Sequence, residues 1–74
     1  MKLSKETERG NVRLGVLSNR EQQIATLACR GYSNKLIAHS LNLTEGTVKV
    51  HLHAVFRKLD VRNRTAMIIK LSTR

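Results

Sequence analysis

Residues 33–59 read SNKLIAHSLNLTEGTVKVHLHAVFRKL, and this stretch decides the fold. Ser33 and Thr44 are residue types that cap helix N-termini, and each precedes a run with apolar residues at helical spacing. Between the two runs, Asn42 tolerates the left-handed conformation that a tight turn requires. The pattern predicts a short helix, a tight turn and a longer helix over about residues 45–59.

The longer of these helices has two different sides. At about 100° per residue, one narrow stripe of apolar residues predicts the core side: Val48, Leu52, Val55 and Leu59. The opposite arc carries a mixture of basic and apolar residues, namely Lys49, Val50, His53 and Arg57. Val50 is apolar on a polar arc, so a role outside the core is indicated for it.

Two further helices extend the pattern on either side. Ser18 and Glu21 have the spacing of a capping box at the start of a first helix. Gly31 is placed to end that helix. Asn63 predicts the cap of a fourth helix over about residues 64–72. The expected buried residues of the short second helix are Leu36, Ile37 and Leu41, and those of the fourth helix are Met67, Ile68 and Leu71. The fold class expected is all-α with four helices.

Residues 17–74 are expected to form this single domain. Residues 1–16 show no sustained periodicity and include two glycines and mixed charges. They are expected to be a flexible tail or a linker to another domain.

The composition excludes several classes of protein. The chain has 74 residues, no proline, two aromatic residues and one cysteine, Cys29. One cysteine excludes an intramolecular disulfide framework and a zinc site of the usual cysteine-rich kind. His51 and His53 are two apart on a helix and therefore point in different directions, which argues against a shared metal. With no paired carboxylates and no Gly-rich phosphate loop, neither an enzyme nor a cofactor is expected.

The charge indicates a polyanionic partner. Fourteen basic and five acidic residues give 14 − 5 = +9 at neutral pH, which favours nucleic acid. A short helix, a turn and a longer basic helix form the helix-turn-helix arrangement, whose second helix enters the major groove of DNA. Lys49 can reach guanine or a phosphate, Val50 can contact a thymine methyl group, and His53 can donate to a base or phosphate. The free amides at Ser33 and Thr44 can bind phosphates.

Three segments resemble a known family: LSNREQQI at 17–24, GYSNKLIAHSLNLTEGTVKVHL at 31–52 and FRKLDVRNRT at 56–65. Together they resemble the four-helix LuxR-type DNA-binding domain, the output domain of NarL/FixJ response regulators and of quorum-sensing regulators. The resemblance implies a bacterial, cytoplasmic transcription regulator that binds two-fold symmetric double-stranded DNA as a homodimer. If the chain is a fragment of a response regulator and not a stand-alone regulator, the free chain is expected to be monomeric or weakly dimeric. Its base-reading positions match Lys49, Val50 and His53.

The resemblance also implies two further sets of residues. The phosphate contacts it implies are Ser33, Asn34, Lys35, Thr44, Thr47, Arg57 and Arg62. The fourth helix is the family's dimer interface, which here corresponds to Thr65, Ala66 and Ile69.

Two residues depart from many members of the family. Gly46 stands where many carry a basic residue, and His53 where many carry Lys, Ser or Asn. Because a histidine titrates near neutrality, we hypothesise that DNA affinity depends on pH. Identical affinities at mildly acidic and mildly alkaline pH, at matched salt, would contradict this hypothesis.

Three alternatives remain open from the sequence. Region 4 of a sigma factor resembles the chain through the third helix, but the capped fourth helix with a second apolar side favours a dimeric regulator. A basic protein-binding adaptor requires a larger exposed apolar patch than Ala66 and Ile69 provide. A membrane-surface helix requires an apolar face that is not used in the core, so no membrane partner is expected.

Overall fold

The computed structural model describes residues 17–72, which form four helices and contain no strand. They are α1 (Asn19–Cys29), α2 (Asn34–Leu41), α3 (Glu45–Leu59) and α4 (Arg64–Ser72). The all-α class and the four helices expected from the sequence are therefore confirmed. The expected flexible tail or linker at residues 1–16 lies outside the described residues.

The helix starts are fixed by the side chains that the sequence indicated. Ser18 and Glu21 form the full capping box: the Glu21 amide donates to Ser18 Oγ at 3.1 Å, and the Ser18 amide donates to Glu21 Oε1 at 2.9 Å. Asn63 Oδ1 accepts from the Ala66 amide at 2.8 Å at the start of α4. Each of these bonds satisfies an amide that has no partner within its helix.

The helix ends are set by left-handed residues. Asn42 has φ of 60°, which turns the chain from α2 into α3, and Asp60 has φ of 57° after α3. Gly31, just beyond α1, has φ of +94°. Asn and Asp adopt this conformation more readily than most residues, and Gly adopts it without steric cost. The short turns keep consecutive helices in contact.

The core lies where α3 packs against both α1 and α2, and α4 closes it by packing against α1 and α3. Its largest fully buried side chains come from all four helices: Ile24, Ile37, Val48, Val55, Leu59 and Met67. The apolar stripe of α3 is buried as expected, which leaves the opposite arc of α3 facing away from the other helices. Burial of this stripe fixes the rotation of α3 about its own axis.

One core prediction was wrong. Leu36 was expected on the buried side of α2, but 52% of it is exposed. The eight-residue helix buries a stripe centred on Ile37 and Ala38, with Leu41 half-buried. Leu36 precedes this stripe by about 100° of helical rotation, so it falls beyond the region that α1 and α3 cover.

Candidate nucleic-acid interface

The starts of α2 and α3 present capped amides. Ser33 Oγ accepts from the Leu36 amide at 3.1 Å. Thr44 Oγ1 accepts from the Thr47 amide at 3.1 Å and donates its own proton to Thr47 Oγ1 at 2.9 Å. The Thr44 and Thr47 hydroxyls are therefore joined to each other at the start of α3. Both helix starts therefore combine hydroxyl groups with the positive end of a helix dipole.

The outward arc of α3 is exposed along its length. His53 lies four positions after Lys49 and three after Val50, so its side chain shares one side of the helix with both. All three are exposed, and 68% of Val50 is exposed although it is apolar. The His53 ring lies 6.0 Å from the half-buried Phe56 ring, centroid to centroid, with an interplanar angle of 58°. This arc is the candidate reading surface.

A groove joins the starts of α2, α3 and α4. It is lined by residues from the start of α2, by Glu45 of α3 and by Arg64 of α4. The α2 contributors are Ser33, Asn34 and Lys35. The fold therefore brings Arg64 of α4 next to the starts of α2 and α3, although it is well separated from them in the sequence.

Arg64 makes the contact that sequence reasoning missed. Its Nη1 donates to Asn34 Oδ1 at 2.6 Å, and its Nη2 donates to the backbone carbonyl of Tyr32. A cation in the first turn of a helix is disfavoured by the helix dipole, and α4 has no acidic residue in that turn. Lys35 has the same unfavourable placement in the first turn of α2, so the sequence alone does not single out Arg64.

Lys58 makes a second long-range contact that periodicity did not indicate. Its Nζ donates to Glu21 Oε1 at 2.8 Å, which ties α3 to α1. Burial by itself would raise the pKa of the Glu21 carboxyl. The hydrogen bonds and charge of Lys58 and the bonds with Ser18 outweigh it and hold the pKa below its ordinary value. Glu21 is therefore charged at neutral pH and helps fix the placement of α3.

The fourth helix has a buried and an outward side. Met67 is fully buried, whereas 61% of Ile69 is exposed. The other two residues expected at a dimer interface, Thr65 and Ala66, are exposed and half-buried respectively. These three belong to α4 and not to the α3 arc, so the structure keeps the candidate pairing and reading residues on different elements.

The remaining candidate phosphate contacts differ in exposure. Asn34 is half-buried, and the basic residues Lys35, Arg57 and Arg62 are exposed.

Cys29 is half-buried, and burial raises the pKa of its thiol despite the nearby charge of Arg64. Within residues 17–72, no group of three or more His, Cys, Asp or Glu side chains forms a candidate metal site. No helix in that range combines the length and apolar content needed to cross a bilayer.

Comparison with known proteins gives consistent matches. Residues 15–71 match the family described as bacterial regulatory proteins, luxR family. The nitrate/nitrite response regulator protein NarP of Escherichia coli (strain K12) is 48% identical over 54 residues, which cover 73% of this chain and 25% of that protein. The two-component response regulator PprB of Pseudomonas aeruginosa is 40% identical over 62 residues, which cover 84% of this chain and 22% of PprB.

A solved structure matches as well. The low-resolution structure of the response regulator StyR superposes with a TM-score of 0.82 at 34% identity, and covers 96% of this chain and 36% of that one. The chain thus spans roughly a quarter to a third of the length of the relatives it matches.

Proposed function

Because the chain belongs to the luxR family of bacterial regulatory proteins, we propose that it reads a specific duplex DNA site as the output domain of a response regulator. The coarser assignment, a DNA-binding transcription-regulator domain related to response regulators, follows from the family and from NarP, PprB and StyR. The finer proposal concerns which helix reads, which residues hold the backbone and how two copies pair.

The observation that carries the proposal is the exposure of Val50 beside Lys49 and His53 on the arc of α3 that faces away from the core. In the major groove, Val50 contacts a thymine methyl group, while Lys49 donates to guanine O6 or N7. His53, one turn further along α3, donates to a base or a phosphate. Within residues 17–72, Val50 is not among the apolar residues that pack against the core.

The phosphate contacts surround this arc. The starts of α2 and α3 contribute Ser33, Asn34, Lys35, Thr44 and Thr47, and the exposed cations Arg57 and Arg62 extend the contact. Such contacts set the register of the protein on the duplex without reading sequence. Each neutralised phosphate releases counterions, so affinity falls steeply as salt rises.

Two copies pair through α4, with Thr65, Ala66 and Ile69 at the contact. Pairing by a two-fold axis places the two copies of α3 about one DNA turn apart, which matches a two-fold symmetric site. Ile69 supports this proposal because it is a large apolar side chain exposed on the side of α4 opposite to Met67. The proposed setting is the cytoplasm of a bacterium, where the domain meets chromosomal DNA.

Selection of binding sites from random duplex DNA tests the proposal directly. The purified chain at near-physiological salt should enrich a two-fold symmetric motif with half-sites about one turn apart. Lys49→Ala, run in parallel, should lose preference at one position of that motif. An asymmetric half-site alone would contradict pairing through α4 in this chain. Salt-sensitive binding with no enriched motif would contradict the reading role of Lys49, Val50 and His53.

A further inference from the structure

We propose that Arg64 is a positioning residue for DNA binding, which orients the side-chain amide of Asn34 so that its NH2 group faces a phosphate. The inference rests on the proposed function, because it assumes that the start of α2 meets the DNA backbone. It adds a role for a residue of α4 that does not itself touch DNA.

The chemistry of the two side chains fixes the orientation. An arginine guanidinium has only donors, so the Asn34 atom that it contacts at 2.6 Å is the carbonyl oxygen Oδ1. The NH2 group of Asn34 is then the end of the amide turned away from Arg64. A phosphate has only acceptors, so it accepts from an NH2 group and is repelled by a carbonyl oxygen. Rotating the Asn34 side-chain amide by half a turn would point its carbonyl oxygen at the phosphate and replace the attraction by a repulsion.

A second bond holds the guanidinium in place. Nη2 of Arg64 donates to the carbonyl of Tyr32, the residue immediately before the Ser33 cap. The planar fork of Arg64 therefore contacts the chain on both sides of the α2 cap, at Tyr32 before it and at Asn34 after it. A lysine carries one ammonium group and cannot reproduce two parallel arms of fixed geometry.

The sequence separation shows which elements this contact joins. Arg64 lies 30 residues from Asn34 and 32 from Tyr32, and it begins the helix that we propose for pairing. It is half-buried in the groove where the starts of α2, α3 and α4 meet. The α4 helix itself gains nothing from a cation in its first turn. The Arg64 contact acts instead at the start of α2, where it aligns the Asn34 NH2 group that we propose meets DNA.

A double-mutant cycle on the full 74-residue chain tests the inference, with the duplex recovered by selection and a scrambled duplex as probes. Arg64→Lys should weaken binding to both duplexes roughly tenfold, the size expected for one hydrogen bond to a charged group. Asn34→Ala should weaken binding similarly. Arg64→Lys added to Asn34→Ala should cause no further loss, because Arg64 acts through Asn34. Arg30→Lys, an exposed arginine at the end of α1, is the matched control and should change nothing.

The inference would be overturned if the double variant lost DNA affinity by the product of the two single losses. Such independent losses would mean that Arg64 acts on DNA directly or through the fold as a whole. Unchanged binding by Asn34→Ala would overturn it too. If Arg64→Lys lowers helicity, Asn34→Asp decides the matter. Aspartate still accepts from Arg64 but offers the phosphate an oxygen, so it should bind DNA more weakly than Asn34→Ala. Equal or tighter binding by Asn34→Asp overturns the inference.

The proposed function and this inference fail in different ways. If the chain prefers no sequence and the cycle on an arbitrary duplex still shows coupling, base reading by α3 fails and the role of Arg64 stands. If Lys49→Ala changes the preferred sequence and the Asn34 variants leave affinity unchanged, base reading stands and the role of Arg64 fails.

Discussion

A single carboxylate oxygen of Glu21 accepts both the Ser18 amide, at 2.9 Å, and the ammonium group of Lys58, at 2.8 Å. The first bond caps α1, and the second joins α1 to the C-terminal part of α3. Glu21 is buried, whereas 40% of the Lys58 side chain is exposed. The cap of α1 and the placement of α3, the proposed reading helix, therefore depend on the same ionised group.

Acid should destabilise the domain through Glu21. The pKa of this carboxyl is lowered by folding, so its contribution to stability is complete above the pKa of an unfolded glutamate, about 4.3. The contribution is lost as the pH falls through the lower pKa of the native state. Glu21→Gln should therefore lower the free energy of unfolding at pH 7 by about 1–3 kcal/mol. The difference between variant and parent should shrink below pH 4, as followed by urea unfolding.

Glu45→Gln is the control for this experiment. Glu45 is an exposed acid in the first turn of α3, where an acid contributes about 0.3–1 kcal/mol through the helix dipole. It should therefore change stability less than Glu21→Gln does. Parallel stability curves for the Glu21 variant and the parent from pH 7 to pH 3 would show that Glu21 is not the titrating group.

The caps and the core of α3 could be predicted from the sequence because both are local. A Ser, Thr or Asn before a periodic run specifies its own hydrogen bond within three residues, and a stripe at helical spacing specifies its own burial. Leu36 was assigned wrongly because the width of the buried stripe on α2 depends on how closely α1 and α3 cover it. The partners of Arg64 and Lys58 were not predictable, since 30 or more residues separate them.

Lys49 and Arg57 should respond differently to replacement by alanine. Lys49→Ala should cost about 1–3 kcal/mol of binding to the selected site and relax preference at one base position. Arg57→Ala should weaken binding to all sequences alike and flatten the salt dependence by about one unit of slope. Titrations at several salt concentrations, on selected and scrambled duplexes, separate the two effects. Should the Lys49 variant behave as the Arg57 variant does, Lys49 contacts only phosphate.

Ile69→Asp should abolish cooperative occupation of paired half-sites. The substitution places a charge on the exposed apolar side of α4, while Met67 on the buried side is untouched. Binding to an isolated half-site and the helical circular dichroism signal should stay as in the parent. Lys70→Gln, at the neighbouring exposed position, controls for the same change of one unit in net charge. Loss of helicity in the Ile69 variant alone would assign Ile69 to the core.

Gly46 can be replaced without strain inside the protein. Among the described residues, 17–72, the atom that a Cβ at this position would meet is Thr44 Oγ1, at the ordinary contact distance of 3.8 Å. Glycine in a helix costs up to about 1 kcal/mol relative to alanine. Gly46→Ala should therefore raise the free energy of unfolding by up to about 1 kcal/mol, and the melting temperature with it.

Gly31→Ala is the opposing control, because Gly31 has φ of +94° and alanine there should destabilise the domain by roughly 1–2 kcal/mol. Gly46→Lys extends the test to DNA. It adds a cation at the start of the proposed reading arc, so it should strengthen binding to all duplexes and steepen the salt dependence by about one unit of slope. Unchanged salt dependence would mean that the first turn of α3 lies away from the phosphates, which would require a different docking of α3 on the duplex.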